Sequence, residues 1–194
     1  TTVHSTCLPT ASALAASWNR EVAALAANTI AKEAVAESVS VVLGPGVNMK
    51  RSPLCGRNFE YFSEDPYFAG DFAAAYINAM QGNGVGSCIK HFAVNNQEPR
   101  RFTVSANVAA RPLHEIYLRA FEIAIERAKP EAIMESYNRI NGKHAAESRW
   151  LLDDLLRKKW GFEGVVMSDW DAVNDRVASL EAGLDLEMPT SHGS

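Results

Sequence analysis

The feature that most restricts how this chain can fold is a repeated alternation. A short apolar run gives way to a polar break, and the break leads into an amphipathic helical pattern. The apolar runs are VSVVLGPG (39–46), SCIKHFAV (87–94), EAIMESYN (131–138), GVVMSDW (164–170) and LDLEM (184–188). Between them lie PYFAGDFAAAYINAMQ (66–81), PLHEIYLRAFEIAIERA (112–128), WLLDDLLRKKW (150–160) and a helix over about 174–182. An Ala-rich helix over 12–37, with Leu14, Trp18, Val22, Leu25 and Ile30 as its apolar stripe, precedes the first run. Four or five strands, each followed by a helix, imply a parallel α/β sheet. No Gly-x-Gly-x-x-Gly follows a strand, so a dinucleotide fold lacks its signature.

Chemistry-bearing residues collect just past the strand ends. Lys50, Arg51, Arg57, Asn58 and Glu60 follow the first strand, and Lys90 and His91 end the second. Tyr137 and Asn138 end the third, Asp169 and Trp170 the fourth. Active sites of (β/α) barrels are assembled at that C-terminal face, and so are those of open α/β sheets. Each group also has a plainer reading. Asp169 can cap a helix, Arg57 can pair with Glu60 or Asp65, and Trp170 can be a core residue as well as a platform for a sugar ring. Alternation lets only one of Lys90 and His91 point inward mid-strand, so both reach a ligand only at the strand's end. The loop NNQEPRRFTV (95–104) offers amide, carboxylate and guanidinium groups suited to a neutral ligand dense in hydroxyls.

Composition narrows the classes. With 194 residues, 47% of them apolar, the chain supports one substantial core. A formal charge of −4 supplies no basic stripe for nucleic acid. No apolar run is long enough to suggest a membrane span. Cys7, Cys55 and Cys88 are odd in number and widely spaced, which fits reduced thiols and a cytoplasmic location. The five histidines show no metal-ligand spacing, and no metal or other cofactor is expected. The opening Thr1-Thr2-Val3-His4 reads as cut from a longer chain, and 190–194 as a polar tail of cloning origin.

Taken together, GPGVNMKRSPLCGRNFEYFSEDP, KHFAVNNQEPRR, SYNRINGK, LLRKKWGFEGVVMSDWDA and AGLDLEMP resemble the N-terminal barrel domain of glycoside hydrolase family 3, in its β-glucosidase-like branch. The resemblance implies a (β/α)8 TIM-barrel-like domain over 1–189, with about strands two to six represented. It implies a retaining exo-β-glycosidase that releases terminal glucose from a small oligosaccharide or β-glucoside. Asp169 matches the nucleophile. Arg57, Lys90, His91, Arg101 and Tyr137 match residues that bind sugar hydroxyls or adjoin the nucleophile, with Arg100 as an alternative to Arg101. Met134 and Trp170 match pocket-lining residues. Arg57 and Lys90 would help keep Asp169 ionised. The acid/base is expected from a C-terminal domain outside these residues, so the 194 residues alone should be inactive. An incomplete barrel would leave sheet edges that self-association could cover. A β-xylosidase-type enzyme and a non-catalytic sugar-binding remnant are the alternatives. One departure stands out: Glu135 occupies a position that is usually small or uncharged. Strand alternation would place it with Tyr137, near enough to Asp169 to raise that carboxyl's pKa.

Overall fold

The computed structural model describes residues 3–189, so the polar tail at 190–194 lies outside the described residues. Seven strands occur in chain order: β1 (Val41–Val42), β2 (Gly86–Phe92), β3 (Ser105–Ala106), β4 (Ala132–Glu135), β5 (Arg139–Ile140), β6 (Lys143–His144) and β7 (Val165–Met167). Four of them form one parallel sheet in the order β1-β2-β4-β7. A bridge from Met167 to Leu186 adds the start of a fifth parallel segment. The first apolar run reads as a longer strand than β1 because Gly44 and Pro45 interrupt it, and proline has no N–H to donate. Its pairing resumes beyond them, with Lys90 N–H donating to the Pro45 carbonyl and Val47 N–H to the Lys90 carbonyl. The loops after β2 and β4 build a second, three-stranded sheet from β3, β5 and β6.

The helices cover one face. α1 (Ala11–Ala15) precedes α2 (Arg20–Ala36), and α3 (Pro66–Gly82) links β1 to β2. α4 (Ala110–Pro112) continues through a π-helical segment, Leu113–Tyr117, into α5 (Arg119–Ala128), which leads to β4. A second π-helical segment, Trp150–Lys159, precedes β7, and α6 (Arg176–Ala182) follows it. Ile89, Phe92, Ile133 and Val166 face the helices and join the main core. Cys88, Ala132, Met134 and Met167 form a separate cluster on the other face, the interior of the partial barrel. Burial pushes the Cys88 thiol up to about 12, so it acts as an apolar filler there.

The helix expected over 12–37 is two helices. Trp18 adopts φ 54° and Asn19 caps α2 by accepting from the Glu21 N–H at 2.9 Å. The expected apolar stripe is only partly realised: Leu14 and Ile30 pack against the core, but Trp18 is 74% exposed and Leu25 67%, while Ala23, Ala26, Ala27, Ala31 and Ala34 are buried. Small side chains let α2 approach α3 closely, and Leu25 and Val35 face out. Asp71 of α3 ties the layer together, pairing with Arg20 of α2 and Arg127 of α5, each at 2.5 Å.

At Gly70, α3 lies tight against α5. A Cβ there would meet the Ala120 carbonyl oxygen and the Ile123 Cβ at 2.8 Å. Gly70→Ala is therefore expected to cost about 1–3 kcal/mol of stability through overpacking, despite alanine's better helix propensity. Urea unfolding of the full-length protein and this variant checks the sign; a stabilised variant would mean that the helices can part.

Candidate active site

Because the four long-range strands run parallel, their C-terminal ends lie side by side, and the polar residues read from the sequence come together there. Asp169 lies two residues past the end of β7 and is 6% exposed. Its two oxygens differ. Oδ1 accepts from the Tyr137 hydroxyl at 2.9 Å and from the Trp170 backbone N–H at 2.7 Å. Oδ2 closes no hydrogen bond among the described residues, with His91 Nε2 at 3.5 Å and Arg57 Nη1 at 4.0 Å. The Tyr137 phenol stays protonated, since burial and then the Asp169 charge push its pKa up, so it donates to Oδ1.

His91 sits behind this carboxylate and is 1% exposed. Burial, then the positive charges of Arg57, Lys90 and Arg101, hold its pKa well below the usual histidine value. The ring is therefore neutral, and its 3.5 Å approach to Asp169 is not an ion pair. Arg57 Nη2 donates to His91 Nε2 at 2.9 Å, which places the ring proton on Nδ1, facing the Tyr61 hydroxyl at 3.1 Å. Arg57 also pairs with Glu60 through Nε, and Lys90 Nζ lies 3.4 Å from the other Glu60 oxygen. For Arg57, burial opposes the charge, but the Glu60 hydrogen bond together with the neighbouring Tyr61, Glu60 and Glu98 outweighs it and holds the guanidinium more firmly protonated than usual.

Simple alternation fails at Lys90 and His91. The register runs from Lys90 opposite Met134 to Phe92 opposite Glu135, so β2 carries one extra residue in a bulge at this point. The bulge brings both side chains to the cluster. Asn48 stabilises it: its amide accepts from the His91 N–H and donates to the His91 carbonyl, each at 2.8 Å. Asn48 and Tyr61 were not singled out by sequence reasoning. Asn48 is legible there only as a polar residue past the first strand, because its partner is a backbone irregularity on another strand.

Arg101 stacks over the Tyr137 ring at 4.3 Å and pairs with Glu98 at 3.1 Å, whereas Arg100 is exposed. Trp170 is 38% exposed beside the carboxylate. Met134 is 2% exposed and belongs to the interior cluster with Cys88, Ala132 and Met167. Lys90 engages Glu60, and Arg57, which shares that carboxylate, also comes within 4.0 Å of Asp169. A cavity of about 480 Å³ opens at the opposite strand ends, lined by Glu131, Trp160 and Phe162, away from all of these groups. Among the described residues no helix is long and apolar enough to cross a membrane, and no group of three His, Cys, Asp or Glu could hold a metal.

The family model described as "Glycosyl hydrolase family 3 N terminal domain" matches residues 1–194. The chain belongs to glycoside hydrolase family 3. It is 55% identical to thermostable β-glucosidase B of Acetivibrio thermocellus over 98% of its own length and 25% of that protein's. It is 54% identical to an exo-α-(1→6)-L-arabinopyranosidase of Bifidobacterium longum, with the same coverage. The chain thus spans about a quarter of the curated relatives it matches. The family 3 β-glucosidase structure from Bifidobacterium adolescentis superimposes with a TM-score of 0.95 at 56% identity, covering 97% of this chain and 28% of that one. β-Glucosidase 3B of Thermotoga neapolitana in complex with glucose gives 0.94 at 48% identity, covering 96% and 26%. The family 3 fold, a partial α/β barrel with a parallel sheet, agrees with the expected class.

The state of His91 has a consequence for acid stability. Its folded pKa lies below the unfolded value of about 6.5, so below that pH the unfolded chain binds the extra proton. Stability from neutral His91 is therefore lost as pH falls through 6.5 toward the folded pKa. His91→Gln, which cannot titrate, should flatten this part of the profile in urea midpoints of the full-length protein. Parallel profiles for the two proteins would contradict a neutral buried His91.

Proposed function

We propose that the full-length protein is a retaining, exo-acting β-glycosidase that hydrolyses terminal non-reducing β-D-glucosyl residues of small oligosaccharides or β-glucosides. The observation that carries this reading is the asymmetry of Asp169. One oxygen is held by Tyr137 and the Trp170 amide, and the other is unengaged. A carboxylate so held can attack an anomeric carbon with one oxygen while the other is kept from rotating away. The attack forms a glycosyl ester, which water then cleaves with net retention. Arg57, Lys90, His91 and Arg101 are assigned to the sugar hydroxyls, and Trp170 to the apolar face of the ring.

Retention requires a second carboxyl group about 5 Å from the first, accessible to the leaving oxygen. Two carboxyl groups of this cluster are unsuited to that part. Glu60 is occupied by Arg57 and Lys90, and Glu135 is fully buried. The acid/base is therefore assigned to a part of the protein beyond these residues, in keeping with the quarter of its relatives that the chain spans.

A second reading of the sugar specificity has one observation in its favour, the similarity to the exo-α-(1→6)-L-arabinopyranosidase of Bifidobacterium longum. Initial rates on aryl β-D-glucoside, β-D-xyloside and α-L-arabinopyranoside separate these specificities; no release from any of them would favour a sugar-binding remnant. Within the glycosidase reading, Asp169→Asn should lower kcat by at least about 10³-fold. Tyr137→Phe removes a hydrogen bond to a charged acceptor worth about 1.5–3 kcal/mol, a loss of roughly 10- to 150-fold in kcat/KM. An Asp169→Asn protein with near wild-type kcat would overturn the assignment.

A further inference from the structure

Tyr61 is a buried polar residue of this cluster that the proposed chemistry leaves unused. It is 1% exposed, as are His91 and Asn95, and its hydroxyl lies between them, 3.1 Å from His91 Nδ1 and 3.5 Å from the Asn95 amide. The Tyr61 and His91 rings meet edge to face, with centroids 6.1 Å apart and planes at 83°. Both residues are anchored to one stretch of backbone beyond β1. Gly46 bridges Tyr61 on one side and Lys90 on the other, and the Asn48 amide clamps the His91 peptide. The Tyr61 ring rests on Gly46 so closely that a Cβ there would meet two ring carbons at 2.9 Å. The hydroxyl therefore has a fixed place against the imidazole.

The chemistry of the groups fixes the direction of the hydrogen bonds in this row. A guanidinium has only donors, so Arg57 Nη2 at 2.9 Å requires a bare Nε2 on His91. A neutral imidazole carries one proton, which must then sit on Nδ1 and be donated to the Tyr61 oxygen. Tyr61 is left with its own proton to give, and Asn95 Oδ1 is a buried acceptor without a donor among the described residues. The oxygen and nitrogen of an amide exchange places by a half-turn of the side chain. With Oδ1 toward Tyr61, the row runs from Arg57 through His91 and Tyr61 to Asn95, each group donating to the next. The opposite histidine tautomer would set an Nε2 proton against the Arg57 donor. It would also put an N–H 3.5 Å from Asp169 Oδ2, the oxygen that otherwise closes no hydrogen bond.

We propose that Tyr61 is a positioning residue for the nucleophile: by accepting the Nδ1 proton it holds His91 in the tautomer whose Nε2 receives Arg57 and offers no proton to Asp169 Oδ2. The proposal deepens the glycosidase reading and rests on it. A hydrogen bond from His91 to Oδ2 would stabilise the carboxylate before reaction and would have to break as that oxygen attacks, so it would raise the barrier. Arg57 is placed by the same tautomer. Glu60 holds its Nε and His91 its Nη2, and its Nη1 lies 4.0 Å from Asp169 Oδ2. Loss of the Tyr61 hydroxyl removes the acceptor that favours a proton on Nδ1. The proton then moves to Nε2, where it displaces Arg57 and caps Oδ2.

The test uses the full-length protein with 15N-labelled histidine, and reads the ring nitrogens by NMR and kcat on an aryl β-glucoside. The His91 signals are those lost in H91F. In wild type they should show the proton on Nδ1, and in Y61F on Nε2. Y61F should also lower kcat by about 10-fold or more. Because Tyr61 acts through His91, that loss should vanish when His91 has no ring proton to give: Y61F/H91F should match H91F within about 2-fold. If Y61F does not fold, the wild-type tautomer decides, and a proton on Nε2 overturns the inference. An active wild type in which Y61F leaves the tautomer or kcat unchanged, or costs as much with His91 replaced as with it present, overturns this inference alone. A wild type inactive on every β-glycoside overturns the glycosidase reading, and this inference with it.

Discussion

Parallel pairing is the constraint on which the rest of this structure depends. Once β1, β2, β4 and β7 run in one direction, four loops must leave from one edge of the sheet, however distant they are in sequence. Asp169 and Tyr137 are 32 residues apart, and Arg57 and His91 34, yet each pair is in direct contact. The helix layer holds the strands in that register. The alanine face of α2, the close approach at Gly70 and the Asp71 ion pairs all determine how near the helices lie, and so how firmly the strand ends are placed.

On that frame the site solves an electrostatic problem. Arg57, Lys90 and Arg101 crowd one carboxylate, and cations packed together at low dielectric repel one another. Glu60 pairs with two of them and Glu98 with the third, while His91 avoids adding to the charge by staying neutral. The result is a set of fixed donors around Asp169 in which each long basic side chain has a carboxylate partner. Such pre-orientation suits hydroxyl recognition, because the donors need not reorganise when a sugar arrives.

Much of this was legible in the sequence. The alternation of apolar runs and helical patterns gave the parallel sheet, and the family motifs located Asp169, Tyr137, Arg57 and His91. What escaped reading was non-local or irregular. The break at Trp18 depends on a left-handed backbone that propensity does not announce, and the Ala-rich α2 buries its small side chains because close helix packing outweighs hydrophobic content. The β2 bulge defeats period-two reasoning at Lys90 and His91, and Asn48 gains its meaning only from that bulge. Glu135 was noticed as an oddity, but its full burial depends on how the strands and helices close around it, which the sequence does not announce. Its own carboxyl is the one displaced upward, by burial first and by Asp169 second.

The proposed chemistry turns on one event, the attack of Asp169 Oδ2 on an anomeric carbon. The most direct measurement is mass spectrometry of the full-length protein after reaction with a 2-deoxy-2-fluoro glucoside bearing a good leaving group, which slows hydrolysis of any glycosyl-enzyme ester. One added fluoroglucosyl group per molecule is expected, carried by the peptide that contains Asp169 and absent from Asp169→Asn. A stoichiometric label on another carboxylate, or turnover of β-glucosides with no trapped ester, would contradict it.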